Sequence, residues 1–165
     1  MSWDDSTYFV DANTLTQLTR PLRSTELFRR TVRIPRAVLA EAKGLPDIEE
    51  LKTLEYPTTP SVLRCLVRVL ETVPVGDTRL LDLYGNRGNA DPFLVACAID
   101  ARNQEAATLF PRTCVVVSGD RAVRGKAAEF DLSTLTNREF AERIDVAAHT
   151  PASGRPTIAA DAGQD

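Results

Sequence analysis

The sequence predicts an α/β protein: a three-layer α/β/α sandwich with a mainly parallel central sheet. Three observations carry this. Tyr8-Phe9-Val10 and Thr113-Cys114-Val115-Val116-Val117 are continuous runs of β-favouring residues, the pattern of strands buried on both faces. Helical patterns separate the predicted strands, and such alternation implies crossovers and parallel pairing. A carboxylate follows each run, Asp11 and Asp120, at the end of the strand where open α/β sheets bind ligands.

The 165 residues are enough for one domain with its own core. That domain is expected over 1–145. Residues 146–165 are rich in Ala, Pro, Gly and Thr without periodicity and are expected to be disordered. With 43% hydrophobic and 26% charged residues the composition is that of an ordinary globular protein. No run approaches the roughly 18 apolar residues of a membrane span. Met1-Ser2-Trp3-Asp4-Asp5 has no apolar stretch of the secretory kind, so a cytoplasmic protein without a membrane partner is expected. Cys65, Cys97 and Cys114 lie in apolar segments and read as buried free thiols. A net charge of −3 gives little support to a large non-specific nucleic-acid binder, although local charge counts for more.

Taken in order, residues 1–6 read as a mobile leader and 7–11 as the first strand. A short helix follows from Asn13, stopped near Pro21. The segment from Arg20 to Arg36 holds six arginines and one acid, Glu26. It is either a solvated face or a phosphate-contacting surface, with Arg29, Arg30 and Arg33 as the candidate RNA contacts. Thr31-Val32-Arg33-Ile34 alternates as a strand. Pro35 then opens a helix that stops at Gly44. Residues 45–84 look helical: one helix from Pro46, a stronger one from Pro60 to Val73, and a short piece at Leu80–Tyr84. The apolar face of the second comprises Val62, Leu63, Leu66, Val69 and Leu70. Gly85-Asn86-Arg87-Gly88 lacks the spacing of a phosphate-cradling loop. The helix opening at Asp91-Pro92 carries small residues suited to close packing against a sheet. Residues 121–129 suggest another helix, Phe130–Leu135 an edge strand, and Thr136-Asn137-Arg138-Glu139 a capping box for a last helix to about Ile144. His149, the one histidine, falls in the tail, which disfavours a histidine base.

In such a sheet Asp11 and Asp120 can sit on neighbouring strand ends, and Glu41 and Asp91 can project from helix starts or faces toward the same edge. Each has an ordinary alternative. Asp91 could be an N-cap, and Glu41 a solvated helix-surface acid. Together in one cleft they would repel by about 4 kcal/mol per close pair at an effective dielectric of about 20, and would need a cation. Oxygen ligands without His or Cys select a hard ion, Mg²⁺ or Mn²⁺. Such an ion suits phosphodiester hydrolysis by an activated water.

Phe9-Val10-Asp11-Ala12-Asn13, Ile34-Pro35 with Val38 and Glu41, Ala90-Asp91-Pro92-Phe93-Leu94-Val95-Ala96 and Val116-Val117-Ser118-Gly119-Asp120 resemble, in order and interval, the motifs of PIN domains over roughly residues 7–145. The resemblance implies an α/β/α sandwich and a Mg²⁺- or Mn²⁺-dependent endoribonuclease. It implies Asp11, Glu41, Asp91 and Asp120 as metal ligands and catalytic acids, with Asn13 and Ser118 in support. Small single-domain members of this size are commonly VapC-type toxins, which implies an RNA substrate, a homodimer and a cognate antitoxin. The helical insert between Glu41 and Asp91, and Pro92 after the third acid, depart from the pattern and leave the subgroup open. Two other functions compete. One is a PIN-like module that binds a protein or RNA without catalysis. The other is a phosphoryl-transfer domain with Asp11 as nucleophile, disfavoured because Asn13 stands where such enzymes carry a second Asp.

Overall fold

A computed structural model describes residues 5–80 and 90–149. The chain begins with β1 (Ser6–Val10), then α1 (Ala12–Gln17), α2 (Arg20–Arg23) and α3 (Glu26–Thr31). β2 (Val32–Pro35) and α4 (Arg36–Glu41) follow, then α5 (Ile48–Leu51), a 3-10 turn at Lys52–Leu54 and β3 (Glu55–Tyr56). Next come α6 (Pro60–Glu71), α7 (Asp91–Glu105), β4 (Thr113–Val117), α8 (Arg121–Glu129), β5 (Ser133–Leu135) and α9 (Asn137–His149).

All strand pairs are parallel, in the order β3-β2-β1-β4-β5. The order reverses between β1 and β4, so a crevice opens at their carboxyl ends. Val10 pairs with Val117, and the Asp11 N–H continues the ladder to the Val117 carbonyl at 3.3 Å. Side chains of β1 alternate across the sheet. Tyr8 meets Phe140 of α9 on one face, with centroids 5.1 Å apart, and Phe9 meets Tyr56 on the other at 5.2 Å. Helices cover both faces, which is why β1 and β4 read as unbroken apolar runs. The α/β/α sandwich is therefore the fold.

α7 lies between the sheet and α6. Leu94 through Ala101 are all buried, so this helix has no polar face to advertise. The three cysteines are buried and free. No helix among the described residues is long and apolar enough to cross a membrane.

Several expectations change. β1 begins at Ser6, one residue into the expected leader. Pro35 ends β2 and caps α4 rather than opening it. The segment after Pro46 makes a four-residue helix, a 3-10 turn and an edge strand, β3, because Tyr56 is drawn onto Phe9 and Asp100. α6 buries Val62, Cys65 and Val69, leaving Leu63 and Leu70 at 44% and 39% exposure. Its contact line on α7 is narrow, so the outer part of the predicted apolar face stays in solvent. The capping box forms: Glu139 accepts from the Thr136 N–H at 2.8 Å, and Thr136 Oγ1 accepts from the Glu139 N–H at 3.2 Å. α9 runs on through 146–149, into the expected tail, held by buried Phe140 and Ile144. His149 sits in its last turn against Asp145. The expected pieces at Tyr84 and Gly85–Gly88 lie outside the described residues.

Candidate metal centre

Asp11 and Asp120 stand just beyond β1 and β4, the two strands flanking the crevice. Each is the N-cap of the helix that follows. Asp11 Oδ1 accepts from the Thr14 N–H at 2.6 Å, and Asp120 Oδ1 accepts from the Ala122 N–H at 2.7 Å. The caps hold each carboxylate in one orientation. No hydrogen bond among the described residues occupies either Oδ2. Ser118 is fully buried, and its hydroxyl accepts from the Asp120 N–H at 3.0 Å, so it braces the turn that carries Asp120. Arg124 fastens the same turn by donating to the Ser118 carbonyl at 2.7 Å.

Asp91 opens α7 but does not cap it. Ala90 holds the N-cap position, and no side chain caps the helix there. The Asp91 carboxyl is half-buried and receives no hydrogen bond among the described residues. Burial first, then the negative charges of Asp120, Asp11 and Glu41, push it up to about 7. Glu41 is exposed, as a helix-surface acid should be. Yet its carboxylate accepts from the Ala90 N–H at 3.3 Å, which ties the end of α4 to the start of α7. The four acids therefore share one edge of the sheet and act electrostatically on one another.

Asn13 is exposed and accepts from Gln17 Nε2 at 3.4 Å. Gln17 in turn accepts from Asn137, whose amide lies 3.0 Å from where a Cβ on Gly119 would stand. Asn13 thus belongs to a polar chain along the rim, with no bond to an acid among the described residues. Thr14 escaped the sequence reasoning: its backbone orients Asp11, and its buried hydroxyl has no partner among the described residues.

The arginine segment is not brought to the acids. α3 ends at Thr31, and Val32 pairs with Tyr8, three residues or about 10 Å below Asp11. Arg29 and Arg30 thus lie toward the opposite, amino edge. Arg33 is there too: it donates to the Val32 carbonyl at 2.6 Å and is influenced by Arg112, which reaches the Ser6 carbonyl. Three arginines of the segment find acids from a later stretch. Arg23 is buried in an ion pair with Asp47 at 2.6 Å, and Arg20 and Arg29 both meet Glu50.

The donor set fits a hard cation in kind. It is all oxygen, and no Lys or Arg among the described residues neutralises Asp11, Asp91 or Asp120. It is not a finished ligand shell, because no three His, Cys, Asp or Glu among the described residues stand close enough to hold an ion.

No family model and no curated protein matches the chain. Among solved structures it is similar to the crystal structure of PAE2754 from Pyrobaculum aerophilum. The two are 16% identical over 86% of this chain and 98% of that one, with a TM-score of 0.49.

Proposed function

We propose that the chain is a Mg²⁺- or Mn²⁺-dependent endoribonuclease. The observation that carries this reading is the raised Asp91 carboxyl at the crevice of the sheet, which has no donor among the described residues and feels the charges of Asp120, Asp11 and Glu41. An acid raised first by burial and then by three like charges at a crevice is a candidate functional group. Asp11, Asp91, Asp120 and Glu41 would hold the ion. When bound, the ion would supply charge neutralisation at phosphoryl oxygens and acidify a water for attack. Raised to about 7, the Asp91 carboxyl would be part-protonated near neutrality and would have to be ionised to serve as a ligand. The caps from Thr14 and Ala122 and the bracing by Ser118 aim two of the carboxylates beforehand, which reduces the ordering needed on binding.

Purified chain with Mn²⁺ is expected to cleave single-stranded RNA internally, and Asp11→Asn to abolish cleavage while retaining the fold by circular dichroism. Equal cleavage by wild type and variant would remove the reading. The finer proposal, a homodimeric cytoplasmic toxin restrained by an antitoxin, rests on the motif resemblance. Its test is co-expression with the product of a small adjacent reading frame, which should suppress cleavage.

The incomplete ligand shell favours a second reading, a PIN-like module that binds protein or RNA without catalysis. Calorimetry separates the two: no heat with Mn²⁺, alongside unaltered RNA, selects the binding module.

A further inference from the structure

A cavity of about 650 Å³ adjoins the acids on the α8 side, and Asp120 is part of its wall. The turn after α6 supplies Val73 and Pro74, and Leu80 closes the apolar side. The opposite wall is α8, with Arg121 at its start and Gly125 one turn further on.

The charged groups here divide by whether they are already engaged. Lys126 is buried and donates to Glu129 at 2.6 Å and to the Thr72 carbonyl and hydroxyl at 3.2 Å, fastening α8 to the end of α6. Arg79 is held by Asp77, at 2.9 and 3.1 Å through Nε. Arg121 is exposed and has no partner among the described residues. It is the cation left to meet a ligand.

Gly125 supplies an independent sign. Glycine inside a helix is destabilising relative to alanine. A Cβ at Gly125 would meet nothing within 4 Å, so packing does not require its absence. What the bare backbone leaves is room in the cavity. A flat group could lie against the helix there.

We propose that this cavity takes one nucleotide of single-stranded RNA, next to the phosphodiester held at the acids. This rests on the ribonuclease reading. The base would lie between the apolar wall and Gly125, and Arg121 would meet its phosphate. The volume falls in the range of pockets for small organic ligands. Val73, Pro74 and Leu80 offer an aliphatic surface to a base face, and Arg121 a cation to its phosphate. Asp120 belongs to both sites, so a nucleotide here is contiguous with a strand at the acids.

The test uses the full metal-free chain, ¹⁵N-labelled, titrated with the four 5′-nucleoside monophosphates and separately with inorganic phosphate. Nucleotides are expected to give saturable shifts at the amides of Ala122 and Gly125. Arg121→Ala should weaken that binding about tenfold, the loss of one charge-assisted contact. Gly125→Leu should fill the space, abolish the shifts and raise KM for RNA at least about tenfold. Gly125→Ala, which adds one methyl group, should keep the fold and bind within about threefold of wild type. Inorganic phosphate producing the same shifts as the nucleotides would overturn a nucleotide pocket. So would a folded Gly125→Leu variant with wild-type KM, and that result would leave the ribonuclease reading standing. Gly125-dependent nucleotide binding by a chain that cleaves no RNA with Mn²⁺ would sustain the pocket and remove the ribonuclease.

Discussion

On α7, Asp91 and Asp100 are the same chemical group treated in opposite ways. Asp100 is 1% exposed, and its two oxygens accept from Tyr56 at 2.7 Å, Gln104 at 2.8 Å and Ser61. Those donors come from β3, from the first turn of α6 and from α7 itself, so one carboxylate ties the insert to the core. Its charge also raises the Tyr56 hydroxyl pKa, behind the larger effect of burial. Asp91 is less buried, yet no donor among the described residues reaches it, and it feels the charges of three other acids. Burial of a carboxylate therefore does not by itself mark a site. A satisfied buried acid is a fastening; one without a donor among like charges has its ionised form penalised and its pKa raised.

The contrast breaks most readily in activity. Asp91→Asn should lower Mn²⁺-dependent RNA cleavage by about 10²–10³-fold, the loss typical when a group stabilising transition-state charge is removed. Asp100→Asn should leave kcat within about threefold, as expected away from the chemistry. Equal losses in a gel cleavage assay would erase the distinction.

Stability should reverse the order. Asp100→Ala leaves the half-buried Tyr56 and Ser61 hydroxyls without their acceptor and is expected to cost about 2 kcal/mol in urea denaturation. Asp91→Ala removes repulsion and should leave the metal-free chain within about 0.5 kcal/mol of wild type, or more stable.

The pH response sharpens the same point. The Asp91 carboxyl is raised in the folded state to about 7, above its ordinary 3.8. Its contribution to stability is fully present below the unfolded value and is lost as pH rises through 7. Metal-free wild type should therefore lose about 1–2 kcal/mol relative to Asp91→Asn between pH 4 and pH 8, a figure reduced for solvent screening at a half-exposed group. Parallel unfolding curves across that window would count against the acid cluster. Asp47 supplies an internal control of opposite sign. The hydrogen bond from Arg23 holds its carboxyl low, so its stabilisation is lost on acidification.

The smallest expected effect is cation stabilisation. At Mn²⁺ about tenfold above its Kd, wild type should gain about 1.4 kcal/mol, read as a rise in Tm. Asp100→Asn should keep the gain and Asp91→Asn should lose most of it.

Much of the fold was legible because its signals are local. Phe9 and Val116 sit in unbroken apolar runs, and Thr136 with Glu139 is a helix start spelled out in four residues. Leu63 and Leu70 were misplaced because helical spacing gives a face but not the width of the surface it meets. β3 was missed because two residues carry no periodicity; Tyr56 is extended by what it packs on. Arg20, Arg23 and Arg29 looked unpaired because their partners, Asp47 and Glu50, come later in the chain.

The sequence by itself determined the parallel α/β sandwich and the position of an acid after each of two central strands, since buried strands and N-caps are set by neighbours along the chain. Only the tertiary structure decided which acids act together. It bound Glu41 to the start of α7, left Asp91 without a donor among the described residues, satisfied Asp100, and carried Arg33 to the far edge of the sheet. Those outcomes depend on groups distant in sequence meeting across a crossover, and on whether each buried charge meets a donor or another charge of its own sign.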